Sequence, residues 1–287
     1  MKFSKMHGAG NDFVMVDARE ESSADWSRLA VDVCDRHFGV GADGLILIDG
    51  NRERGFEMTI YNPDGSLAEM CGNGIRCFAR LLHERGEIGD DEKIDVLTGA
   101  GPRWIRVDEA GPDGYRVTAG MGVPEFDPAT IPIDMPGDRV VDRSLAVDGM
   151  ELKITALSMG NPHAVAFVDD VEAINLESTG PIVEHHPAFP RRVNFEICQV
   201  LGSDSLRMRV WERGAGITLA CGSGASATVA AAVVTGRAKP GRIELQVDGG
   251  VLDLEWRGEG HEVTMTGPAD RVFEGQWVRT PIAEAVN

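Results

Sequence analysis

Apolar and polar residues alternate in short runs along most of this chain, a period of two that predicts half-buried strands. In the first third such runs cover 13–16, 45–48, 56–61, 94–96, 104–107 and 115–118. Turn-forming clusters such as Asn62-Pro63-Asp64-Gly65 separate them. Two stretches follow the helical period instead. Residues 25–34 carry Trp26, Leu29, Val31 and Val33 behind Asp25, a good N-cap residue. Residues 75–84 gather Ile75, Phe78, Ala79, Leu81 and Leu82 into one broad apolar stripe. The segment 121–142 holds Pro124, Pro128, Pro132 and Pro136 and reads as a linker or a covering loop.

The strand pattern restarts at 152–157, 164–167, 195–200 and 206–211. A helix begins near Gly224, and residues 225–232 are almost all small and apolar. A helix apolar on every side is usually buried, so this one is expected at the centre of the second half. Runs at 243–247, 251–256 and 263–266 follow, and a last strand at 271–279 is expected to return to the first half. Both halves therefore share one order: strands, a Cys-Gly-x-Gly turn, a buried helix, more strands. That order suggests an internal duplication with pseudo-two-fold symmetry. The expected domains are 1–119 plus 272–287, with Cys71, and 120–271, with Cys221. A length of 287 residues suffices for two domains of ordinary size.

Composition adds exclusions. With 43% hydrophobic and 26% charged residues, a sizeable core is available. A formal net charge of −18 argues against nucleic acid and anionic membranes as partners, although local dipoles can still attract an anionic substrate. Residues 1–7 lack the apolar stretch of a signal peptide. The helix-like apolar run 225–234 is too short to span a bilayer. The five cysteines, Cys34, Cys71, Cys77, Cys198 and Cys221, fit a reducing cytoplasm better than a disulfide framework. No CxxC or HExxH spacing points to a metal. Gly8-Ala9-Gly10 and Gly39-Val40-Gly41 lack nucleotide-loop spacing and are expected as tight turns lining the cleft. His185-His186 beside Pro187 reads as surface loop.

The chemistry concentrates in Cys71-Gly72-Asn73-Gly74 and Cys221-Gly222-Ser223-Gly224. Each sets a thiol at the start of a helix. A helix N-terminus presents unpaired N–H groups and partial positive charge, which lower a thiol's pKa and bind anions. Two such ends facing one cleft would supply two reactive thiols around an anion site. A cofactor-free racemase or epimerase needs that arrangement: one thiolate removes a proton from a carbon and the other thiol returns one to the opposite face. Cys34, Cys77 and Cys198 read as core packing.

These residues resemble the diaminopimelate epimerase family over essentially the full length. Matching segments are 6–13, 37–44, 62–66 and 71–77 in the first half, and 159–163, 193–195, 212–216 and 220–225 in the second. The resemblance implies two similar α/β domains, each a β-barrel-like sheet around a central helix. It implies epimerisation of LL-2,6-diaminopimelate to the meso form in lysine and peptidoglycan precursor biosynthesis, with no cofactor and no metal. The implied catalytic residues are Cys71 and Cys221, with His163 and Glu212 helping the thiols exchange protons. The implied substrate-binding residues are Asn11, Asn62, Asn161, Asn194 and Arg213. Arg213 suits a distal carboxylate, and the amides of Gly72, Asn73, Gly222 and Ser223 suit the reacting one. The partner is then a small diaminodicarboxylic acid, and a homodimer is the expected assembly. Ile217 and Ser226 depart from the family, many members carrying Glu and Cys there. A racemase for another amino acid, a thiol redox protein and a pure binding protein are the competing readings. Retention of both cysteines and of Asn11, Asn62, Asn194 and Arg213 favours the epimerase.

Overall fold

The computed structural model describes residues 1–21, 25–112 and 114–278. In the first half, β1 (Lys2–Gly8) and β2 (Asn11–Asp17) form a hairpin, followed by α1 (Trp26–Cys34). Next come β3 (Gly44–Asn51), β4 (Gly55–Tyr61), the two-residue β5 (Leu67–Ala68) and α2 (Gly72–Glu84). Then β6 (Ile94–Thr98), β7 (Gly101–Gly111) and β8 (Gly114–Gly122) complete that half. The second half has β9 (Arg143–Val147), β10 (Met150–Ser158), β11 (Pro162–Phe167), α3 (Leu176–Glu184) and β12 (Asn194–Val200). It continues through β13 (Ser205–Glu212), β14 (Gly216–Thr218), α4 (Gly222–Val234), β15 (Gly241–Val247), β16 (Gly250–Trp256) and β17 (Val263–Pro268). The last strand, β18 (Asp270–Gln276), pairs antiparallel with β1. Residue 279, where the sequence pattern ends that strand, lies outside the described residues.

Strand pairing follows the same scheme in both halves. β2 and β3 pair in parallel, as do β11 and β12. Each second strand then turns back antiparallel onto β4 or β13. That strand holds a short antiparallel partner, β5 or β14, and a parallel one, β6 or β15. Antiparallel pairs β6–β7–β8 and β15–β16–β17 close each series. β8 pairs with β17, so one mixed sheet runs through the molecule.

The sheet wraps α2 and α4. α2 packs on β1, β2, β3, β7 and β8, and α4 on β10 to β13 and β15 to β17. Their apolar side chains meet in one core that includes Ile75, Phe78, Leu82, Val229 and Trp256. α4 is buried nearly throughout, as its all-round apolar sequence requires. α1 starts where Asp25 accepts the Arg28 N–H at 2.9 Å, and it covers the outer face of β2 and β3. The proline-rich segment is a cover and not a free linker: Ile131, Ile133 and Val140 bury themselves against β9 to β12. Among the described residues no helix is long and apolar enough to cross a membrane.

Candidate active site

The N-termini of α2 and α4 touch. A Cβ built on Gly222 would lie 3.0 Å from Gly72 Cα, and one built on Gly72 would lie 3.3 Å from Gly222 Cα. Only glycine at both positions lets the two backbones come this close. A cysteine caps each helix in the same way. The Gly74 N–H donates to Cys71 Sγ and the Gly224 N–H to Cys221 Sγ, both at 3.4 Å. The first helical bonds run from Ile75 N to Cys71 O at 2.9 Å and from Ala225 N to Cys221 O at 2.8 Å.

A cavity of about 310 Å³ lies at this junction. Both cysteines and Gly72, Asn73, Gly222 and Ser223 line it. Asn11, Asn62, Asn161, Glu212 and Arg213 complete the expected polar wall. Met121 and Met159 add apolar surface. Asn11 is held on both sides of its amide. Its Nδ2 donates to Asp43 at 2.7 Å, and its Oδ1 accepts from Asn73 Nδ2 at 3.2 Å and from the Cys71 thiol at 3.4 Å. Asn73 also donates across the junction to Ala220 O at 3.0 Å. Asn62 is fixed in its turn by donating to Ser66 Oγ at 3.0 Å.

His163 and Asn194 sit behind the wall. His163 is fully buried. Its Nδ1 lies 2.7 Å from Glu196 Oε1 and its Nε2 lies 2.9 Å from Asn161 Oδ1. Asn161 Nδ2 in turn donates to Ser223 Oγ at 3.3 Å, and that hydroxyl lies 3.5 Å from Cys221 Sγ. His163 thus connects to Cys221 through Asn161 and Ser223. Asn194 accepts the Arg213 backbone N–H at 2.9 Å and donates to Pro162 O at 2.9 Å, fixing the corner that carries Arg213.

Burial governs the thiols more than the helix ends do, contrary to the sequence expectation of lowered values. Burial pushes Cys71 up to about 11, against the opposing Gly74 N–H bond. Cys221 is raised well above its usual value by burial and then by the carboxylates of Glu212 and Glu196. Burial raises Glu212 too, while hydrogen bonds from Thr218 and the Cys221 thiol oppose the shift. Both thiols are therefore protonated at neutral pH. Whichever ionises becomes a stronger base than an exposed thiolate.

Three charged residues at or behind the cavity carry no clear signal in the sequence. Glu196 is a lone carboxylate in the apolar run 195–198, and that is its only sequence signal. Arg76 is a fully buried charge on α2. Arg103 lines the cavity, a second arginine there with Arg213. The glycine clusters are tight turns, as expected, but neither lines the cavity. Ala9-Gly10 packs on Leu219 and Gly249, and Gly39 packs on the end of α1. His185 caps the C-terminus of α3 at an exposed position. Among the described residues no cluster of three His, Cys, Asp or Glu side chains is arranged to hold a metal ion.

A sequence model of the family described as diaminopimelate epimerase matches residues 3–126 and 155–272. The diaminopimelate epimerase of Pelotomaculum thermopropionicum is 47% identical over 280 residues, covering 96% of this chain and 99% of that protein. The diaminopimelate epimerase of Synechocystis sp. is 48% identical over 280 residues, covering 96% of this chain and 98% of that protein. Among solved structures, a hydroxyproline epimerase from Agrobacterium vitis matches with a TM-score of 0.70 at 16% identity, covering 96% of this chain and 90% of that one. A Bacillus anthracis phenazine biosynthesis protein of the PhzF family matches with a TM-score of 0.68 at 16% identity, covering 97% and 99%. At that identity the structural likeness concerns the fold.

Proposed function

The chain belongs to the diaminopimelate epimerase family, and from that premise we propose that it converts LL-2,6-diaminopimelate to meso-diaminopimelate by proton transfer between Cys71 and Cys221. The reaction serves lysine biosynthesis and peptidoglycan precursor supply. The observation that carries the two-thiol reading is the contact between two cysteine-capped helix ends at one cavity.

One thiolate takes the α-proton and the opposite thiol delivers a proton to the other face. Negative charge developing on the reacting carboxylate meets the N–H groups of Gly72, Asn73, Gly222 and Ser223 and the positive ends of both helices. Such preorganised donors replace the electron sink that a cofactor would otherwise supply. Glu212, buried beside Cys221, exchanges a proton with that thiol between turnovers. His163 acts one step removed, by orienting Asn161 and through it Ser223. Arg213, Asn62 and Asn11 recognise the distal amino-carboxylate end, and Asn194 holds the backbone of Arg213 in place from behind the wall. Losing the α-proton to a strongly basic thiolate is consistent with burial that raises both sulfurs.

We read residues 1–119 with 272–287 as one domain and 120–271 as the other, of which 279–287 lie outside the described residues. The repeated pairing order supports two halves, although these bounds fall inside β8 and β18. A homodimer is supported by the edge strand β18, where Val272 and Phe273 are exposed. Sedimentation at micromolar concentration tests it: a monomer there would remove the dimer. All five cysteines are unpaired, which supports a reducing compartment, the cytoplasm.

The activity test uses reduced, purified protein with LL-diaminopimelate and no added cofactor or metal. Appearance of the meso isomer by chiral separation is the expected result. Racemisation of proline or histidine without turnover of diaminopimelate would replace this reading with the competing one.

A further inference from the structure

Arg76 stands five residues beyond Cys71, the N-cap of α2, and is fully buried. Its Nη1 donates to Gly72 O at 3.1 Å, its Nη2 to Asn73 Oδ1 at 2.9 Å and its Nε to Pro268 O at 3.1 Å. Met265 Sδ lies 3.6 Å from Nη1. All four partners are neutral, and among the described residues the guanidinium forms no ion pair. Glycines make room for it. A Cβ on Gly8 would lie 3.0 Å from Nη2, and one on Gly267 would lie 3.1 Å from Cζ. Burying a cation without a counter-ion is costly. The Coulomb field of that cation is correspondingly little screened.

The other helix end has the opposite surroundings. Glu212 accepts from the Cys221 thiol. Glu196 is fully buried, and its Oε1 would lie 2.6 Å from a Cβ on Gly224, in the first turn of α4. The buried guanidinium thus belongs to the Cys71 helix, Glu212 faces both thiols, and Glu196 adds a second carboxylate on the Cys221 side alone. The remaining charged or titratable neighbours are few. Cys77 from α2 and Arg116 from β8 face Arg76. Glu212 from β13 faces Cys71. Asp270 from β18 and Arg80 from α2 face Cys77. His163 from β11 bonds Glu196.

We propose that Arg76 is a positioning residue for the reaction: its buried, unpaired charge makes Cys71 the thiol that ionises first, and its fork on Asn73 holds the first turn of α2 against Ala220. This rests on the two-thiol reading and adds a direction to it. The free protein enters the cycle with Cys71 as base and Cys221 as acid. Burial lowers Arg76 to about 10, which leaves it cationic at neutral pH. Arg76 is among the groups that lower Cys71, where Glu212 opposes it, whereas Cys221 has no such cation and is raised by both Glu212 and Glu196.

The test is alkylation of the full-length reduced protein with iodoacetamide across pH, with peptide mapping of each cysteine. The pH midpoint, unlike the rate, is insensitive to how far each sulfur is exposed. Cys71 should show the lower midpoint in the wild type. Arg76→Gln should raise the Cys71 midpoint by about one unit or more and move that of Cys221 less. Arg76→Lys keeps the charge and loses the planar fork. It should leave the Cys71 midpoint within a few tenths while lowering kcat at unchanged KM. Circular dichroism checks folding. A wild type in which Cys221 ionises first overturns the proposal, even if Arg76→Gln fails to fold. So does a folded Arg76→Gln protein with an unmoved Cys71 midpoint. Alkylation reads ionisation without turnover, so a protein inactive on diaminopimelate would sink the proposed function while leaving this ordering separately measured.

Discussion

Gly222→Ala should slow the reaction by about tenfold while leaving the protein folded. The added Cβ would sit 3.0 Å from Gly72 Cα, 3.1 Å from Met265 Cε and 3.4 Å from Gly72 N. Carbon atoms pack best at about 3.5–4.0 Å, so the contact needs roughly half an ångström of relief. The Met265 methyl can swing away. The Gly72 backbone cannot move alone, because Asn73 ties that turn to Ala220 and Cys71 caps it. Relief therefore has to part the two helix ends. Overpacking of this kind costs about 1–3 kcal/mol. At roughly 2–4 °C per kcal/mol the melting temperature falls by several degrees. A misplacement of about 1 Å between reacting groups can cost on the order of a hundredfold in rate. Half that displacement corresponds to about tenfold, or about 1.4 kcal/mol in the barrier. Gly111→Ala is the control, since a Cβ there meets nothing within 4 Å and the backbone needs no left-handed conformation. Thermal melts followed by circular dichroism and kcat/KM from resolved isomers give the two numbers. A Gly222→Ala protein within twofold of wild type, melting at the same temperature, would refute the claim that this contact sets the distance between the thiols.

Cys71→Ala and Cys221→Ala should each abolish epimerisation with the melting temperature near that of wild type, and wild-type-like turnover by either folded variant would end the two-base assignment. Arg213→Lys should lose kcat/KM for diaminopimelate by the equivalent of about 2–5 kcal/mol, with little change for an amino acid lacking a distal carboxylate; equal proportional losses would remove Arg213 from distal recognition. Arg103→Ala should raise KM at low salt and less so at high salt, because this cationic residue lines the cavity, and an unchanged KM at low salt would show that it never meets the anionic substrate. Burial works against ionised Asp12, but Arg36 and Lys5 outweigh it and hold its pKa at about 2 against an ordinary 3.8. Its contribution to stability is thus complete above 3.8 and disappears as pH falls through about 2. The urea-unfolding penalty of Asp12→Asn should shrink over that window, and a penalty constant from pH 6 to pH 2 would contradict this.

The legible parts of the sequence were those where local and tertiary signals agree. α1 has its Asp25 cap and apolar period, and α4 has an unbroken run of small apolar residues with burial to match. α3 was hidden because Pro181 lies inside it. β1 was hidden because Ser4 and Lys5 are buried beside Phe3 and Met6, which erases the alternation. Lys5 tolerates that place by bonding Asp12 and the Gly41 carbonyl, partners remote in sequence. β5 and β14 are too short to carry a period. At the site, the two cysteine turns announced themselves by repetition. Glu196 did not, since its partner His163 is brought to it by the parallel pairing of β11 with β12. The sign of the thiol shifts was also out of reach. A helix start is readable from sequence, but the burial that outweighs it arises only when the two halves meet.

Two thiols acting on opposite faces of one carbon is the central claim, and the isotope content of the first product tests it most directly. Reduced wild-type protein is mixed with LL-diaminopimelate in D2O and the reaction is stopped at a few per cent conversion. Mass spectrometry and proton NMR then read the inverted α-carbon of the meso product and the remaining LL substrate. The delivering thiol has exchanged with solvent, while the proton removed is held by the other sulfur. The account predicts deuterium at essentially every inverted centre and protium in the unreacted substrate. Meso product that keeps its original α-proton would mean that one base serves both faces, and the paired roles of Cys71 and Cys221 would fall.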